Sequence, residues 1–97
     1  MAIYVVLYKF TDLGIKTIKE SPARVAGFDK VVEAMGGKTL GVYYTMGEYD
    51  LIAIGEFPND EIAMTFLLRN VQAGTVRTTT LKAFTVEQFT DFVKTLP

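Results

Sequence analysis

The stretch KTLGVYYTMGEYDLIAIGEF, Lys38 to Phe57, holds two runs of β-branched, aromatic and aliphatic residues on either side of a Gly-Glu pair. Lys38 to Met46 reads as one strand and Tyr49 to Phe57 as the next, joined so tightly that Gly47-Glu48 serves as a two-residue type II′ loop with glycine first. This register sets Met46 opposite Tyr49, Thr45 opposite Asp50, Tyr44 opposite Leu51 and Tyr43 opposite Ile52. One face of the pair then carries Leu40, Val42, Tyr44, Leu51, Ala53 and Phe57, a floor for helices. The other carries Thr39, Gly41, Tyr43, Asp50, Ile52, Ile54 and Glu56.

Upstream, Ala2 to Phe10 is β-branched and aromatic, and both alternating sets are apolar, which marks a central strand buried on both sides. Thr11-Asp12-Leu13-Gly14 breaks it, and a short helical turn follows through Ile15 to Lys19. Ser21-Pro22 reads as N-cap and first helical position of a helix running to Met35, with Val25, Phe28, Val32 and Met35 at helical spacing and Gly36-Gly37 at its end. Downstream, Pro58-Asn59-Asp60-Glu61 supplies a turn and a cap for a helix over Ile62 to Gln72, striped by Ala63, Phe66, Leu67 and Val71. Gly74 ends it, Thr75 to Phe84 is a more polar strand, and Thr85-Val86-Glu87-Gln88 opens a last helix carrying Phe89, Phe92, Val93 and Leu96.

The order β-α-β-β-α-β plus a terminal helix predicts a single α+β domain over residues 1–97, with the ferredoxin-like antiparallel sheet in strand order 4-1-3-2 and helices on one face. Composition agrees with that order. The two most continuously apolar runs, YVVLY and LIAI, take the two central places, and VRTTTLK takes an edge, where Thr and Lys are tolerated.

A chain of 97 residues supports one core, yet 49% of it is hydrophobic, more apolar surface than so small a domain readily covers by itself. The net charge is −1 with no basic run, which argues against nucleic acid. The N-terminal MAIYVVLYKF lacks a basic leader and is far too short to span a bilayer, so a cytoplasmic protein without membrane contact is expected. Cysteine and histidine are both absent, which removes disulfides, thiolate nucleophiles, the commonest metal ligands and every His-containing triad. No glycine pattern composes a phosphate loop. No catalytic residue, metal site or cofactor is therefore assigned.

The non-helical sheet face is the candidate site. If Ile3, Val5 and Leu7 turn toward the helices, the first strand adds Tyr4, Val6, Tyr8 and Phe10 to that open face, a surface best covered by a second copy in a homodimer or higher homo-oligomer. Tyr4, Tyr8, Tyr43 and Asp50 are then the candidate ligand-binding residues. Asp50 admits two readings, an acid at the mouth of an inter-sheet cavity beside Tyr43, or a hydrogen-bond acceptor that shapes the hairpin, and the second carries more weight. Asp50 and Glu56 share a face but stand roughly 20 Å apart along the strand, too far for a glycosidase pair. Arg69 or Arg77 offers a carboxylate partner, a solvated surface charge being the simpler role for either.

IYVVLYKFTDLGIKTIKESPARV, the MGGK turn at Met35 to Lys38, TMGEYDLIAI and VRTTTLKAFT together resemble the GYD domain proteins, small bacterial and archaeal chains named for residues that stand here at Gly47, Tyr49 and Asp50. The resemblance implies a ferredoxin-like fold of the dimeric α/β barrel type, in which two sheets face each other, and a family without an assigned reaction. The leading expectation is an oligomeric protein that binds a small apolar or aromatic molecule at the open face without catalysis. Two alternatives stand beside it. One is a cofactor-independent enzyme resembling the monooxygenases or isomerases of other dimeric α/β barrels, with Asp50 and a tyrosine moving the proton. The other is a purely structural interaction module.

Overall fold

The first strand, β1 (Ala2–Phe10), occupies the centre of a four-stranded antiparallel sheet in a computed structural model that describes all 97 residues. It pairs on one side with β3 (Leu51–Phe57) and on the other with β4 (Val76–Ala83), while β2 (Lys38–Tyr44) flanks β3. The resulting order, β2-β3-β1-β4, is the expected 4-1-3-2 arrangement read from the opposite edge. Helices α1 (Asp12–Lys16), α2 (Ser21–Ala26) and α3 (Phe28–Ala34) fill the first crossover and α4 (Asp60–Gln72) the second. The chain closes with α5 (Val86–Lys94), completing a ferredoxin-like βαββαβ fold with a C-terminal helix.

Local chemistry fixes most helix starts where the sequence puts them. Asn59 accepts from the Ile62 N–H at 2.9 Å to cap α4, and Thr85 and Gln88 form a reciprocal capping box at the head of α5. Thr11 caps α1 three residues earlier than the expected turn, and its side chain also donates to the Gly74 carbonyl. Gly14 is dictated by space: a Cβ there would sit 2.1 Å from the Thr75 carbonyl oxygen.

Five expectations are corrected. The helix foreseen from Pro22 to Met35 is two short helices broken at Gly27, the weakest helix former in that run after the proline at its start. Ser21 lies inside the first turn rather than capping it, and its buried hydroxyl shares a 2.8 Å hydrogen bond with the Tyr44 hydroxyl. The β2–β3 pairing keeps the expected register from Tyr44–Leu51 to Gly41–Ile54, then slips by a bulge so that Thr39 faces Gly55 and Leu40 swings out to solvent. The connection spans Thr45 to Asp50 rather than two residues, because the Thr45 hydroxyl donates to the Tyr49 carbonyl and the Asp50 N–H turns away to the Tyr8 carbonyl of β1.

The fifth correction concerns β1. Its side chains are reversed relative to expectation: Tyr4, Val6 and Tyr8 are buried under the helices, and Ile3, Val5 and Leu7 line the open face. Both alternating sets are apolar, so period alone does not choose between them. Aromatic packing does. Tyr4 meets the Phe57 ring edge-on at 5.9 Å, Tyr8 stacks on Phe28 at 6.0 Å, and Phe66 joins Phe28 and Phe57.

The core under the helices consists of two clusters, one around Tyr4, Val32, Phe57, Ala63 and Phe66, the other around Val6, Tyr8, Leu51 and Ala53. Only 12 of 97 residues are buried, so the isolated chain leaves an unusual share of its apolar side chains wet. The open face and α5 account for much of that exposure, and α5 itself has no buried residue.

Candidate functional site

Three places collect the chemistry-bearing residues: the Gly47–Asp50 connection, the open sheet face, and a cavity between the sheet and the helices. In the first, Gly47 adopts φ +105°, a conformation that glycine takes without steric cost, and lets the chain turn out of β2. Asp50 then stitches the turn to the central strand. Its N–H donates to the Tyr8 carbonyl at 2.9 Å and its carboxylate accepts the Phe10 N–H at 2.9 Å, extending the β1–β3 ladder past the last paired residues, Tyr8 and Leu51. The Lys9 ammonium sits 5.4 Å from the Tyr49 ring centre and 3.7 Å from the Glu48 carboxylate, so the turn is held against β1 from above as well. Gly47 and Asp50 thus both shape this connection.

Tyr43 lies on the open face, where Ile52 is its partner across the strand pair and Val5, Leu7, Ile54 and Leu81 surround the middle of the sheet. That face is aliphatic at its centre, and no helix covers it. Tyr4 is on the other side. Its hydroxyl donates to the Asp60 carboxylate, which Lys82 also reaches at 3.0 Å. Burial, then the Asp60 contact, pushes the Tyr4 hydroxyl up to about 12, while the Tyr4 hydrogen bond and Lys82 hold Asp60 below its ordinary value. Burial raises Tyr8 as well. Neither tyrosine supplies a group poised to exchange protons near neutral pH.

The four candidate ligand residues therefore do not come together, and only Tyr8 borders a cavity of ligand size. That cavity, about 280 Å³, opens between β1, β3 and β4 below and α2, α3 and α4 above. Its wall is mostly apolar, with the rings of Tyr8, Phe10, Phe28 and Phe66, and its polar residues include Arg24, Arg69 and Asn70. Tyr8 is 1% exposed and its hydroxyl has no hydrogen-bond partner, a deficit of about 1–3 kcal/mol for a buried polar group. A second void, lined in part by Tyr4, holds only about 20 Å³. A cleft of about 390 Å³ beside Arg77 is broader but has six lining residues, two of them hydrophobic, and so little wall to grip a ligand.

Sequence reading assigned no site to this cavity. Arg24 and Arg69 sit on different helices 45 positions apart, and no spacing rule joins them. The one local signal was Gly27, whose helix break divides α2 from α3 at the cavity wall. No cluster of three or more acidic side chains stands close enough to hold a metal ion.

No helix is long and apolar enough to cross a membrane. The chain is similar, at 28% identity over 87 residues, to a Thermus thermophilus protein called glutamine synthetase and cystathionine beta-lyase binding protein, with 89% of this chain and 92% of the relative covered. No solved structure matches the chain. The GYD domain family model matches residues 4–93, nearly the whole of the ferredoxin-like unit described above and the Gly47, Tyr49 and Asp50 turn within it, and the chain belongs to that family.

Proposed function

We propose that the protein is an oligomeric binding module without catalysis of its own, in which the uncovered sheet face pairs with a second copy and the assembly presents a surface to other proteins. The observation that carries this reading is the continuous aliphatic patch of Ile3, Val5, Leu7, Ile52, Ile54 and Leu81 on a face that no helix covers. Burying a few hundred Å² of such surface contributes on the order of 5 to 10 kcal/mol gross at about 25 cal/mol per Å², before the costs of association. The exposed stripe of Val86, Phe89 and Val93 on α5, with Leu96 just beyond its end, adds a second apolar surface of the same kind.

The relative's protein-binding name supports a protein partner for this chain too. An enzyme built on Asp50 and a tyrosine has less support, since Asp50 is committed to the Phe10 N–H and both buried tyrosines hold their protons tightly. A ligand held between two open faces also loses support, because Tyr4 and Tyr8 lie on the opposite side of the sheet.

The test is the concentration dependence of thermal unfolding. A folded oligomer gains stability by mass action, so the melting temperature should rise with protein concentration. Ile54→Lys places a charge in the middle of the patch and should abolish that dependence while the chain still folds. A melting temperature independent of concentration in the unaltered protein would remove the assembly reading.

A further inference from the structure

We infer that the cavity between the sheet and the helices is a binding site for a small aromatic monocarboxylate, its ring packed among the aromatic side chains and its carboxylate held by Arg24 and Arg69 at the helical wall. This site goes beyond the assembly reading and does not depend on it, since it lies on the opposite side of the sheet.

Size comes first. At about 280 Å³ the cavity stands near the lower end of small-molecule sites, roughly 300–1,000 Å³, which suits a single ring with a short side chain. The wall agrees. Tyr8, Phe10, Phe28 and Phe66 surround the space, and Tyr8 and Phe28 are already stacked, leaving ring faces and edges for another aromatic group.

Charge decides the functional group. Two arginines line the cavity and no acidic side chain does. Arg69 is exposed at the rim and takes part in no ion pair. Arg24 is steadied by Glu20 at 3.3 Å and Thr17 at 3.0 Å through one terminal nitrogen, which leaves most of its five donors unused. Planar guanidinium groups match a carboxylate in shape as well as charge. A free amino acid fits less well, because the carboxylate beside Arg24, that of Glu20, is already paired with it and does not line the cavity that the ammonium group would enter.

The experiment is an amide NMR titration of the full chain with 3-phenylpropionate, phenylalanine and 3-phenylpropanol. The acid should shift the signals of Gly27, Asn70 and Thr75 and bind more tightly than the other two. Arg69→Gln and Arg24→Gln should each weaken the acid by about tenfold or more, the effect of removing a charge-assisted hydrogen bond, and leave the alcohol unchanged. Shifts confined to the open face, no shifts at millimolar acid, or acid binding indifferent to both arginine substitutions would each overturn the assignment. A failed titration leaves the concentration-dependent melting untouched, so the two proposals fall separately.

Discussion

The two sides of β1 are equally apolar in sequence and opposite in fate. Tyr4, Val6 and Tyr8 disappear beneath helices, whereas Ile3, Val5 and Leu7 line a face with nothing over it. The helical side recruits rings that pack on other rings and leave a cavity among them. The open side is branched and flat. Hydrophobicity alone does not separate the two faces, but side-chain shape does: interdigitating helices cover the aromatic one, and a flat second sheet is the cover we propose for the aliphatic one.

The largest effect separating the two sides should come from Phe66→Ala, which removes a ring shared by Phe28 and Phe57 and should cost about 3–5 kcal/mol of unfolding free energy by denaturant titration. Val5→Ala, its counterpart on the open side, should change the stability of dilute protein far less and act on association instead. Equal losses from the two would erase the distinction.

Next in size is the seam between the turn and the central strand. Asp50→Ala strips the Phe10 N–H of its charged acceptor and should cost about 1.5–3 kcal/mol, and Asp50→Asn, which keeps an acceptor oxygen, should cost less. Chemical denaturation of the two variants checks this ranking, and an aspartate kept for chemistry alone would leave both as stable as the parent.

Alkaline pH reads the helical side again. Folding holds the Tyr4 proton, raising its value from 10.0 to about 12, so this contribution is intact below pH 10 and is lost as pH climbs from there toward about 12. Unfolding midpoints measured across that window should fall, and Tyr4→Phe should flatten the slope. The smallest effect is expected from Tyr8→Phe, which deletes a buried hydroxyl with no partner and should leave unliganded stability equal or up to about 1 kcal/mol higher.

Much of this was readable in the chain. The continuous apolar character of β1 and β3 placed them at the centre of the sheet, and Asn59 and Thr85 announced their helices. The orientation of β1 was not readable, because a period of two has no preferred phase when both phases are greasy. The bulge at Leu40 escaped for a related reason: a register deduced from the turn assumes that every later residue keeps step. The cavity was hidden because its walls come from six elements whose approach is set by packing rather than by any local run of sequence.

The central claim is that the aliphatic face is shielded by a twin subunit in solution, and sedimentation equilibrium at micromolar concentration tests it most directly. A mass of twice the 10.8 kDa chain or a higher multiple, collapsing to a single chain in Ile54→Lys, is the predicted result. A stable species of one chain's mass in the unaltered protein would contradict it.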